Sequence, residues 1–167
     1  MKTLNKINDG IARIETSLLV AIVLFMVVFA FLQVVLRNVF DHGLLWGDIF
    51  LRHLVLWIGF IGASLATKER KHITIDLFTR LLKGRAQALA QMLIDLFSAF
   101  VAGLLVQASW AFVLEERAYE TMLFSNIPSW YFQIIIPIGF GLIMSRFLIG
   151  ALQKIGEAIH PAAEAKV

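Results

Sequence analysis

The stretch LLVAIVLFMVVFAFLQVVL at residues 18–36 decides the fold class. Gln33 is its only polar side chain. An α-helix rises 1.5 Å per residue, and about 20 mostly apolar residues cross a hydrocarbon core of about 30 Å. Outward along the chain, residues 96–114 and 127–145 are also free of charge. A fourth candidate is centred on 54–66, where the uncharged run gives only about 20 Å of helix. It spans only by recruiting Ile49, Phe50 and Leu51, which carries Arg52 and His53 into its outer turns. An Arg near a helix end bends its guanidinium toward the headgroups. The expected fold is an all-α membrane protein, one domain over 1–167, with spans at about 14–36, 49–67, 88–114 and 127–150.

Composition agrees with lipid as the solvent. Of 167 residues, 59% are hydrophobic and 16% charged, whereas a soluble domain is about 45–50% apolar and about 25% charged. A chain this short has too much surface to hide that excess from water. Disordered chains, coiled coils and ordinary soluble enzymes are excluded. The absence of cysteine removes disulfides, Cys-zinc sites, iron–sulfur clusters and thiol nucleophiles.

The net charge of +3 reads as topology, not as nucleic-acid affinity. With the N-terminus inside, twelve of the fifteen Lys and Arg residues lie inside, Arg146 among them, and only Arg37, Arg52 and Arg117 lie outside. Both termini are therefore expected in the cytoplasm. The outer segments carry Asp41, Asp48, Glu115, Glu116 and Glu120. The first span is longer than a signal-peptide core and lacks a small-x-small cleavage site, so it reads as a retained anchor. Between spans two and three, Leu77, Phe78, Leu81 and Leu82 share one helical face, with basic residues on either side. This predicts an interfacial amphipathic helix over about 74–83 on the cytoplasmic side, the alternative being an extension of a neighbouring span. Gly84 breaks the chain before the next helix, and the Ala-rich tail at 160–167 is expected to fray.

Little in the spans carries chemistry. Transport cores use broken helices and ionisable groups at the midplane, and the candidates are Asp95, Arg52 and His53. Asp95 reads as a proton or sodium relay or as an interfacial carboxylate. His53 as a haem ligand needs a second facing His, and His42, His72 and His160 all lie outside the spans. No pattern supports catalytic, metal-binding or cofactor-binding residues. Small residues four apart recur at Gly59 and Ala63, Gly62 and Ala66, Ala99 and Gly103, and Gly141 and Ser145. Such spacing lets helix backbones approach closely. Pro137 should kink the last span. Trp46, Trp110 and Trp130 fit an outer aromatic belt, whereas Trp57 lies deeper and reads as packing.

The order of motifs resembles a known family. The chain shows Leu36-Arg37-Asn38-Val39-Phe40, Trp46-Gly47-Asp48, Arg52, Trp57, Phe60-Ile61-Gly62-Ala63 and Lys71-His72-Ile73-Thr74-Ile75-Asp76. Ile127-Pro128-Ser129-Trp130, Ile136-Pro137-Ile138-Gly139 and Arg146 follow. Over about 14–150 this resembles the DctQ-like small membrane subunit of tripartite ATP-independent periplasmic (TRAP) transporters. One departure follows Trp46, where the family often has two adjacent acids: of Gly47, Asp48 and Ile49 only Asp48 is acidic. The resemblance implies a non-catalytic scaffold in the bacterial inner membrane. It would brace a large multi-span subunit that takes up an organic acid with an ion gradient, after delivery by a periplasmic binding protein. On that reading Arg37, Trp46, Asp48, Arg52, Trp57, Gly59, Gly62, His72 and Asp76 serve structure or the subunit interface, and Glu115, Glu116 and Glu120 face the binding protein. Asp48 and Arg52 at i and i+4 can pair, with Arg37 joining to lock spans one and two. A self-sufficient small homodimeric transporter and a redox membrane anchor are the alternatives.

Overall fold

The computed structural model describes residues 2–79, 85–124 and 127–159. Helix α1 covers Lys2–Val39, α2 Leu45–Thr79 and α3 Arg85–Ala118. A short antiparallel hairpin of β1 (Met122–Phe124) and β2 (Ile127–Pro128) follows, then α4 (Trp130–Gln133) and α5 (Ile135–Ile159). Four stretches are long and apolar enough to cross a membrane: Asn8–Val39, Trp46–Glu69, Leu89–Ala118 and Trp130–Lys154. The second gains its length at the front, because α2 starts at Leu45 and carries Arg52 and His53 within it. The hairpin was not expected from an all-helical reading.

The segment at 74–79 continues α2 without a break instead of forming a separate interfacial helix. Residues 80–83 of the expected interfacial helix, Gly84 and the tail at 160–167 lie outside the described residues. Pro137 acts as expected on the last span. It has no N–H for the carbonyl of Gln133, and the helix is interrupted at Ile134, between α4 and α5.

The helices pack in the order α1, α2, α5, α3. Pairings fix their directions. Leu19 of α1 lies against Gly62 of α2, and Phe29 against Trp46, so these two run antiparallel. Trp57 meets Phe132, and Phe60 meets Gly139, so α2 and α5 run parallel. Gly103 meets Met144 and Arg117 covers Trp130, so α3 and α5 run antiparallel. The start of α1 and the later part of α5 consequently share one end of the molecule, called here the basic end. The loop before α2 and the hairpin share the other, the aromatic end.

Helices α1 and α2 bury only narrow lines, whereas α5 is buried or half-buried over most of its surface between α2 and α3. On α1 the buried or half-buried residues include Asn8, Ala12, Glu15, Leu19, Ile22, Met26, Phe29 and Gln33. Alternating steps of four and three residues make this a heptad seam of the kind seen in coiled coils. Gly47, Phe50, Leu54, Trp57, Ile61, Ser64 and Lys68 form the matching seam of α2. None of the most apolar window of α1 is buried, against 33% of that of α5. Apolar surface on this scale, with Phe31 and Phe97 each 69% exposed, is suited to lipid or to a membrane partner.

Candidate functional site: a polar seam and an open helix face

At the basic end, three helices meet on one carboxylate. Glu15 of α1 accepts from Ser64 Oγ of α2 at 2.9 Å through Oε1, and from Arg146 Nη2 of α5 through Oε2. Arg146 is 3% exposed and Glu15 6%, so the charges neutralise each other away from solvent. Arg146 Nη1 has no partner among the described residues. About a turn nearer the end, Lys68 Nζ of α2 lies 2.7 Å from Asp9 Oδ1 of α1. The sequence left the centres of the first and last spans uncharged, and the charged pair lies toward their basic ends, where Arg146 was expected as an inner-surface charge. The missed signal was position. Glu15 sits on the same seven-residue repeat as Asn8 and Leu19, and apolar residues 147–152 continue for nearly two turns beyond Arg146. Arg146 belongs to the interior and not to the set of topology-determining surface charges.

The aromatic end is closed by rings. Phe29 lies 5.7 Å from Trp46 and 6.0 Å from Phe50 between centroids, and Phe50 lies 5.9 Å from Phe132. The last two contacts are edge-on, the arrangement that ring quadrupoles favour. Trp57 packs in the seam as expected and also donates its Nε1 to Phe132 O at 3.0 Å, a carbonyl in the turn before the Ile134 break. His53 donates from Nδ1 to Ile49 O at 2.8 Å and lies 5.3 Å from the Phe132 ring. Asp95 is half-buried on α3.

Gly47 is buried for a local reason. A Cβ there would lie 1.4 Å from Gln33 Nε2 and 3.3 Å from the Phe29 ring. The Gln33 carboxamide occupies that space, with Nε2 donating to Leu44 O at 3.4 Å ahead of α2. Gly139 has a similar role between α2 and α5, since a Cβ would meet Phe60 Cβ at 2.8 Å.

The proposed lock of Arg37, Asp48 and Arg52 does not form. All three are exposed, and among the described residues no ion pair joins them. The i, i+4 spacing allows a pair, but exposed partners lose side-chain freedom for little gain. Trp46 instead joins the ring cluster. Of the small-residue pairs, Ala99 and Gly103 face α5, and Gly62 faces Leu19. Nothing lies within 4 Å of a Cβ built at Gly59 or Gly141. Asp48, Arg52, Val55, Gly59, Ala63 and Ala66 are all exposed and fall on one face of α2, opposite its seam. His72 and Asp76 lie one turn apart farther along α2. Glu115 and Glu120 are exposed, while Glu116 accepts from the buried Ser129 Oγ at 2.6 Å and so helps anchor the start of α4.

Four helices long and apolar enough to cross a membrane define a multi-pass membrane protein. Residues 26–156 match the family model of the DctQ component of tripartite ATP-independent periplasmic transporters, and the chain belongs to that family. It is a transport component. A Haemophilus influenzae protein named provisionally as a TRAP transporter small permease is 29% identical over 81% of this chain and 83% of its own length. The C4-dicarboxylate TRAP transporter small permease DctQ of Pseudomonas aeruginosa is 26% identical over 61% of this chain and 50% of its own. The sialic acid TRAP transporter permease SiaT of H. influenzae is 26% identical over 58% of this chain, which is only 14% of SiaT.

Proposed function

We propose that this chain is the non-catalytic scaffold subunit of a TRAP-type secondary transporter. It lies in the bacterial inner membrane with its basic end in the cytoplasm and braces a large multi-span permease subunit. That subunit takes up an organic acid with an ion gradient, after a periplasmic binding protein delivers it to the side of the aromatic end. The observation that carries this reading is the division of labour among polar groups. Most of the interior ones are spent on each other, Glu15 on Ser64 and Arg146, Gln33 on Leu44 and Trp57 on Phe132, while Arg146 Nη1 and Gln133 Oε1 have no partner among the described residues. The outward α2 face, with Asp48 and Arg52 at one end and Gly59, Ala63 and Ala66 below, is exposed among the described residues. The match to a small part of the much longer SiaT supports a large permease as its occupant.

The interface list drawn from sequence shifts accordingly. Trp57 and Gly62 serve the chain's own packing, while Asp48, Arg52 and Gly59 remain on the docking face and Val55, Ala63 and Ala66 join them. Glu115 and Glu120 remain the acids that face the binding protein.

Co-expression with the large permease tests this. Replacing Gly59 and Ala63 with Leu should lower the co-purified permease about tenfold, equivalent to about 1.4 kcal/mol, while leaving the chain's own unfolding midpoint unchanged. Substrate flux by this chain alone in liposomes would overturn the reading.

A further inference from the structure

The Glu15–Arg146 pair ties the first helix to the last. By helix rise, Ser64 lies about 27 Å from Trp46, and Arg146 about 24 Å from Trp130. Both positions fall inside a hydrocarbon core of about 30 Å that begins at the ring cluster. Helix α1 otherwise packs on α2 along its single seam. Arg146 is the group of α5 that reaches Glu15, with Ser64 of α2 on the other carboxylate oxygen.

We propose that Glu15 and Arg146 form an assembly latch, in which the arrival of the last helix fixes the first to the finished bundle. Each charge costs less at this depth when the other is present than when it must reach for headgroup water. Glu15 enters the membrane long before Arg146, because 130 residues separate them. Until α5 inserts, the carboxylate has Ser64 as its only partner among those described and can turn toward headgroup water at the helix end. Once Arg146 arrives, the pair is neutral and desolvated, and α1 is held at its basic end by two helices in place of one. The latch thus makes the seating of α1 conditional on correct insertion of everything after it.

The test uses the full-length chain with Leu19→Cys and Gly62→Cys as a reporter. Leu19 Cδ1 lies 3.8 Å from a Cβ at position 62, and the chain has no other cysteine. Disulfide formation in native membranes reads the seating of α1 on α2. Glu15→Gln or Arg146→Gln should each lower reporter oxidation about tenfold, whereas the double substitution should recover to within about twofold of the parent. If a single variant fails to accumulate, membrane yield replaces oxidation as the readout. Recovery in the double variant or in the exchanged pair Glu15→Arg with Arg146→Glu then supports the latch. Losses that simply multiply in the double variant, with no recovery on exchange, would overturn it, as would single variants that oxidise like the parent.

Discussion

At the level of single residues, Gly47 shows how a missing side chain can be a packing requirement. Its missing side chain makes room for the carboxamide of Gln33, which lies where a Cβ would be. Gly47→Asp should therefore expel Gln33 and crowd Phe29, costing about 1–3 kcal/mol as overpacking. Adding Gln33→Ala should return most of that loss, measured as unfolding midpoints in detergent. Equal losses with and without the second change would show that Gln33 is not the obstacle. From sequence, Gln33 was visible as the one polar group of residues 18–36, and Arg37, Asp48 and Arg52 as a possible charge lock. The chemistry was legible but the direction was not. In a helix where nearly every residue is apolar, hydrophobicity does not tell the seam from the lipid face. The polar residues do, and Asn8, Glu15 and Gln33 all fall on the seam.

At the scale of elements, long apolar periodic segments were the most legible feature, because a membrane imposes length and polarity together. Their ends were less so. Helix α2 begins at Leu45 and continues to Thr79, beyond any length that the bilayer requires. The break at Ile134 was foreseeable from Pro137, but its use was not: Phe132 O, in the turn that precedes it, accepts the indole of Trp57. Pro137→Ala should restore a donor for Gln133 O and merge α4 with α5. The straightened turn should withdraw Phe132 O from Trp57 and change the indole emission. Trp57→Phe should then cost about 1 kcal/mol in the parent and little in the Pro137→Ala background. Equal costs in both would mean that the break does not place the carbonyl.

For the molecule as a whole, the central question is what covers its outward surfaces. The outward faces of α1 and α3 carry bulky groups such as Leu24, Val28, Phe97 and Phe100, which suit lipid chains. Below Val55, as far as Ala66, the outward face of α2 carries only Gly59, Ala63 and Ala66, a shape that admits another helix backbone. The most direct measurement is cysteine crosslinking in the intact complex with the large permease, made unambiguous by a chain that has no cysteine of its own. Single cysteines at Val55, Gly59 and Ala63 should crosslink to the permease, and those at Val28 and Phe97 should not. Crosslinks confined to Val28 or Phe97, with the α2 face silent, would contradict the account.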